Sequence, residues 1–146
     1  MRILLDTNLL VRAAITPDGL ARKLLRCIEK GEEHVLIISS YLLGEVADVL
    51  HRPRIQAQWP ISDQEIQVYC RSLSEVGEEV PVRPLAPVIR DSKDQAVIEA
   101  AVAGRANVIC TGDAHFYLSP AKEFLEQHGI SVVNDRGLLA LFETEG

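Results

Sequence analysis

The chain has 146 residues, 47% of them hydrophobic and 25% charged, with a formal net charge of −6 at pH 7. That balance describes one globular domain, residues 1–146, and excludes a disordered chain. It also excludes a broadly basic surface, so a polyanionic partner would need a local basic patch or a bound cation.

In chain order, Arg2–Asp6 reads as a first strand, and a helix of about two turns follows Thr7 until the turn sequence "TPDG" (Thr16–Gly19). Leu20, Leu24, Leu25 and Ile28 recur at helical spacing as far as Gly31. "HVLIIS" (His34–Ser39) has the length and composition of a second strand. Ser39 or Ser40 can cap a helix carrying Leu42, Leu43, Val46, Val49 and Leu50, which stops before Pro53. "ISDQEIQVYCRSLSEVG" is an amphipathic helix entered through Ser62 or Asp63. "EEVPVRPLAPVI" is extended, because Pro81, Pro84 and Pro87 exclude a regular helix. An alanine-rich helix "SKDQAVIEAAVAG" ends at Gly104, and "ANVICT" is a further strand. "SPAKEFLEQHG" is a helix with Ser119 as its cap, Pro120 in its first turn and Gly129 as its stop. A short strand "ISVV" and a last helix "DRGLLALFE" complete the chain.

Strands alternate with helices, and the strands are continuous apolar runs. The expected fold class is therefore α/β, a three-layer sandwich with a central, mostly parallel sheet flanked by helices on both faces. No apolar run approaches the ~20 residues of a spanning helix, and the sequence opens on a strand without a signal-peptide pattern. A cytoplasmic location without a membrane partner is the expectation. Cys27, Cys70 and Cys110 are an odd set with no CxxC or Cys/His spacing, which reads as buried thiols and disfavours zinc.

Ligands bind such sheets beyond the carboxyl ends of the strands. Asp6 ends the first strand, and Glu45 lies about one and a half turns into the helix after the second. Asp94, with Asp91 just before it, opens the alanine-rich helix, and Asp113 follows the strand "NVICT". Four or five carboxylates gathered there could not all stay ionised without a cation. An all-oxygen set selects a hard divalent ion, Mg²⁺ or Mn²⁺. Thr7, Asn8, Ser39 and Thr111 add neutral oxygens and donors that could hold the carboxylates in place.

"LLDTNLLVRA", "SSYLLGEVADVLHRP", "RDSKDQAVIEAAVAG" and "VICTGDAHF", in this order, resemble the PIN-domain family, and most closely its toxin-like subgroup associated with VapBC-type toxin–antitoxin pairs. The resemblance covers nearly the whole chain. It implies an acidic quartet of Asp6, Glu45, Asp94 and Asp113, with Asp91 as an additional acid, Asn8 as the amide of the first motif and Thr111 as the hydroxyl of the last. It implies a metal-dependent ribonuclease that hydrolyses an RNA phosphodiester, with Mg²⁺ or Mn²⁺ held by Asp6, Asp94, Asp113 and Asp91. Glu45 would position or deprotonate the attacking water. A small antitoxin partner and a homodimer are implied as well. Two positions depart from the pattern: Lys93 stands where many relatives carry an acid, and His115 replaces the second acid of "TGDxD". The missing second acid of the last motif bears on the strength of a second metal site, not on the first.

Plainer readings of the same residues stay open. Asp6 could cap the first helix, Ser92 with Gln95 could form a capping box, and Asp91 could favour a helix N-terminus. Glu45 could be a solvated helix residue, and Asp113 could be a turn residue. His51, Arg52 and Arg54 form one basic cluster, either solvated or, with Lys93 and Arg90, in contact with phosphate. His115 is a loop residue or an aid to the leaving group, and Trp59 and Tyr69 are packing residues. As whole functions, a receiver-like phosphoacceptor is disfavoured because Asn134 and Asp135, not lysine, follow "ISVV". A Rossmann nucleotide site is disfavoured because no G-x-G-x-x-G follows the first strand. The rival of a different class is a PIN fold kept as an RNA-binding or interaction module with little catalysis.

Overall fold

Four apolar runs and the exposed acidic pair Glu78–Glu79 form, among the described residues, five short strands, all in parallel register: β1 (Arg2–Leu5), β2 (Val35–Ile38), β3 (Glu78–Glu79), β4 (Val108–Cys110) and β5 (Ser131–Val133), in the spatial order β3-β2-β1-β4-β5. In this computed structural model the backbone is described for residues 1–145 and the side chains for residues 1–144. Parallel neighbours need crossover connections, and helices supply them: α1 (Thr7–Ile15), α2 (Leu20–Lys30), α3 (Ser40–Leu50), α4 (Pro53–Gln58), α5 (Asp63–Val76), α6 (Ser92–Ala103), α7 (Ala121–Gln127) and α8 (Asp135–Glu145). A 3-10 turn spans Ala114–Tyr117. The three-layer α/β sandwich expected from the alternation is the observed fold.

Because successive strand residues point to opposite faces, each apolar run divides between two cores. Ile3 and Leu5 of β1, Leu36 and Ile38 of β2, and Val108 and Cys110 of β4 pack with residues of α1, α2, α3, α5 and α8. Leu4, Ile37 and Ile109 face the other way, onto Val97, Ile98, Ala100 and Ala101 of α6 and Ala121 and Leu125 of α7. The alanines let α6 lie close to the sheet. An added Cβ on Gly104, at its C-terminal end, would come within 2.7 Å of Ile37. Among the described residues, no helix is long and apolar enough to cross a membrane.

Several local details differ from expectation. The extended stretch after α5 pairs with β2 through Glu78 and Glu79 and one further bond, from the Val80 amide to the Ile38 carbonyl at 2.9 Å, and the prolines that follow lack the amide donors a ladder needs. A helix resumes at Pro53, whose fixed φ suits the first helical position, so α4 follows α3 after a break at His51 and Arg52. Trp59 ends α4 with 41% of its surface exposed and is not a packing residue. Tyr69 does pack, and its hydroxyl donates to the Leu10 carbonyl at 2.6 Å. Ser119 does not cap α7: its hydroxyl bonds Glu123 at 2.6 Å, and Pro120 itself occupies the cap position. Of the three thiols, Cys110 is buried and Cys27 and Cys70 are partly buried, all free.

Candidate active site

The order of strands reverses between β1 and β4, which run side by side at the centre of the sheet with Leu5 opposite Cys110. Beyond the carboxyl ends at such a reversal, the connecting segments part and leave a crevice. Here it is a cleft of about 330 Å³ lined by Asp6, Thr7, Asn8, Glu45, Lys93, Asp94, Val97, Gly112 and Asp113. Four acids that lie 39, 49 and 19 residues apart along the chain, in turn, share it.

Asp6 leaves β1 and caps α1, one carboxylate oxygen accepting from the Leu9 amide at 2.9 Å. Its other oxygen accepts from the Thr111 hydroxyl at 2.5 Å. Thr111 is fully buried. Its Oγ1 also accepts from the Asp113 amide at 3.1 Å, and its carbonyl accepts from the Tyr117 hydroxyl at 2.8 Å. The threonine thus ties the first acid to the loop carrying the last. Asp113 starts the 3-10 turn, accepting from the His115 amide at 2.9 Å while the His115 ring nitrogen Nδ1 lies 2.9 Å from the same oxygen. Cap and cleft roles are combined in both aspartates.

Asp94 sits in the first turn of α6. The expected capping box does not form there: Asp91 is the cap, accepting from the Lys93 amide at 2.8 Å. Gln95 turns instead to the preceding segment, accepting from the Val88 amide at 3.0 Å and donating to the Ala86 carbonyl at 3.3 Å. Asp91 is exposed and does not line the cleft, although its charge reaches Asp94. Ser39 caps α3 from a buried position through the Leu42 amide at 3.1 Å and likewise stands behind the cleft wall.

Glu45 is 15% exposed and is held by Lys93, whose Nζ lies 3.2 Å from Oε1; an Arg52 Nη2 is 4.0 Å from the same oxygen and 3.5 Å from Asp48. Arg54 and Arg90 are exposed and line no part of the cleft. His51 accompanies Asp63 at 3.0 Å, so the basic cluster divides, with Arg52 alone turning to an acid of the cleft.

The acids strain one another. Burial pushes the Asp6 carboxyl above the usual aspartate range, against the pull of its bonds to Thr111 and Leu9. Asp94 is pushed up to about 6, first by burial, then by the charges of Asp113 and Asp91 and by a hydrogen bond to Asp113. A divalent cation would remove that penalty. Ligand atoms of Asp94, Asp113 and His115 all lie within 4.8 Å of one another. Opposite ligands of a Mg²⁺-sized ion stand about 4.2 Å apart, so small side-chain rotations would suffice. The donor set fits such an ion.

One residue beside the cleft escaped sequence reasoning. Tyr41 lies one helical turn before Glu45, is 44% exposed, and has Glu45, Lys93 and Asp91 as its charged neighbours. Its signal was the i, i+4 spacing to Glu45, which places both on one face of α3.

The family model of the PIN domain matches residues 2–115, the segment that contributes every residue lining this cleft. The chain belongs to the PIN-domain family. PIN domains are generally nucleases. The structure is similar to a chain in the crystal structure of VapBC2 from Rickettsia felis bound to a DNA fragment from their promoter. The TM-score is 0.62 at 16% identity, over 92% of this chain and 98% of that one. At that identity the likeness is one of PIN fold. No curated protein sequence matches the chain.

Proposed function

We propose that this PIN domain is a Mg²⁺- or Mn²⁺-dependent endoribonuclease, the toxin component of a toxin–antitoxin pair. The observation that carries the nuclease reading is the convergence of Asp6, Asp94 and Asp113 in one cleft with Glu45, at the reversal of strand order. Asp94 and Asp113 would hold the ion, with His115 within reach of the same position and Asp6 completing the set from the β1 side of the cleft. When bound, the ion supplies positive charge for the phosphate and its transition state and makes water a better nucleophile near neutral pH.

The chain's own residues do the rest. Thr111 fixes the rotamer of Asp6 and the backbone of Asp113, holding two ligands in register. Glu45, partly buried at the cleft wall, accepts the proton of the attacking water or holds that water in line. Asn8 is exposed at the rim and can donate to a phosphate oxygen. Gly112 leaves room: an added Cβ there would meet nothing within 4 Å, so the folded chain itself does not demand a glycine. Tyr41 offers a ring on which an unpaired base can stack, which favours single-stranded RNA.

The antitoxin half of the proposal rests on the sequence resemblance and on the VapBC complex that shares the fold. A small partner that places a basic side chain against the acidic cleft would silence it by competing with the ion and the phosphate. The deciding experiment is cleavage of single-stranded and structured RNA with Mg²⁺, Mn²⁺ or EDTA, beside Asp94→Asn. Cleavage that requires metal and disappears in the variant is expected. Equal cleavage in chelator or in Asp94→Asn would sink the nuclease reading and leave a PIN fold that binds without cutting.

A further inference from the structure

The acids of the cleft are not equivalent. Asp94 and Asp113, with His115, present ligand atoms within 4.8 Å of one another; Asp6 lies outside that set but is tied to the Asp113 backbone through the Thr111 hydroxyl. Glu45 stands outside that group and already has a cation: the Lys93 ammonium, 3.2 Å from Oε1, backed by Arg52 at 4.0 Å. We infer that Lys93 is a resident substitute for a second metal ion, so that the cleft takes a single divalent cation, on the Asp6–Asp94–Asp113 side. The inference rests on the nuclease reading only for its consequence in catalysis.

Charge and placement both support it. Four carboxylates line the cleft against one ammonium, an excess of three negative charges. One divalent ion reduces that excess to one; a second would have to displace Lys93 from Glu45 and accept an ammonium as its neighbour. Lys93 directly precedes Asp94 on α6, so its backbone is fixed by the helix that presents the metal ligand. Its side chain is 53% exposed, which leaves the ammonium within reach of a phosphate oxygen while it holds Glu45. Lysine suits this task as a compact point charge on a flexible stem.

The test is calorimetric titration of Mn²⁺ into the folded wild type, Lys93→Met and Lys93→Glu, with RNA cleavage measured in parallel. The wild type is expected to bind one ion. Lys93→Met removes a repelling charge without adding a ligand, so it should still bind one, about threefold to tenfold more tightly. Lys93→Glu adds a carboxylate beside Glu45 and should bind two, its cleavage rate then rising with the second power of Mn²⁺ concentration. A wild type that binds two ions, or a Lys93→Glu variant that binds one with unchanged affinity, overturns the inference even if RNA is cleaved. The expected change from one ion to two without RNA cleavage in any protein would keep the inference and reject the nuclease reading. A wild type that binds no Mn²⁺ overturns both.

Discussion

Two concave surfaces of this molecule invite comparison. The larger, about 530 Å³, lies between α7 and the edge strand β5 and is lined by Phe116, Tyr117, Leu125, Ile130 and Val132, with Lys122 and Glu126 at its border. The smaller, about 330 Å³, is the acidic cleft. The first has volume and mixed walls, with one lysine and one glutamate of opposite charge and no set of like charges. The second holds four carboxylates whose mutual repulsion the fold tolerates at its most central strand pair. Like charges are gathered at a cost in stability, and a cost of that kind calls for a compensating ligand. Charge, rather than room, separates the two surfaces.

The comparison can be broken most directly by substitution on each side. Asp94→Asn should reduce RNA cleavage by roughly 10²-fold or more, the scale of losing a key electrostatic contact to the transition state. Lys122→Ala, at the larger groove, should leave the rate within about twofold, as exposed positions remote from chemistry do. Comparable losses at both would erase the distinction. Next in size is the effect of Tyr41→Ala. Loss of one stacking surface should weaken binding of single-stranded RNA by about 1–3 kcal/mol, read by fluorescence anisotropy, with little effect on a duplex.

The third prediction concerns stability and pH. The folded-state value of Asp94 is about 6, above its unfolded value of 3.8. A raised carboxyl favours the fold only while protonated, so its contribution is fully present below about pH 4 and is lost as pH rises through 6. In EDTA, Asp94→Asn should therefore match the wild type in Tm near pH 4 and exceed it near pH 7. After discounting for solvent, the gain is about 1 kcal/mol, or about 2–4 °C for a domain of this size. Saturating Mn²⁺ should cancel that advantage by stabilising the wild type alone. A variant less stable than wild type at pH 7 in EDTA would contradict the crowding of the acids. The smallest effect is expected from Gly112→Ala, which should fold with unchanged Tm because open space surrounds the added methyl. Any loss of RNA affinity would then report crowding of the ligand itself.

Most of the sheet and its two helical layers could be read from the sequence, because continuous apolar runs bounded by turn residues leave few other arrangements. The acids could be placed at one edge for the same reason: Asp6 and Asp113 follow strands, Asp94 opens a helix, and Glu45 lies within the helix that follows β2. Details that depend on competition between neighbours could not. Asp91 and Ser92 are both good caps, and Asp91 prevails while Gln95 satisfies the backbone of the proline-rich segment. Ser119 has a cap's chemistry but bonds Glu123. The Lys93–Glu45 pair joins residues 48 positions apart, and no local pattern announces it. Tyr41 was within reach of spacing arguments, but its exposure was not.

The double attachment of Asp6 has a practical consequence for making an inert form of the protein. An amide at that position keeps the cap to Leu9 but turns an N–H toward Thr111, whose buried hydroxyl proton then loses its acceptor. Asp6→Asn would thus disturb the hinge between the first strand and the "TGD" loop along with any chemistry. Asp94 has no such structural bond to β1 or to Thr111, so its neutral variant is the better bait for trapping uncut RNA or a bound partner.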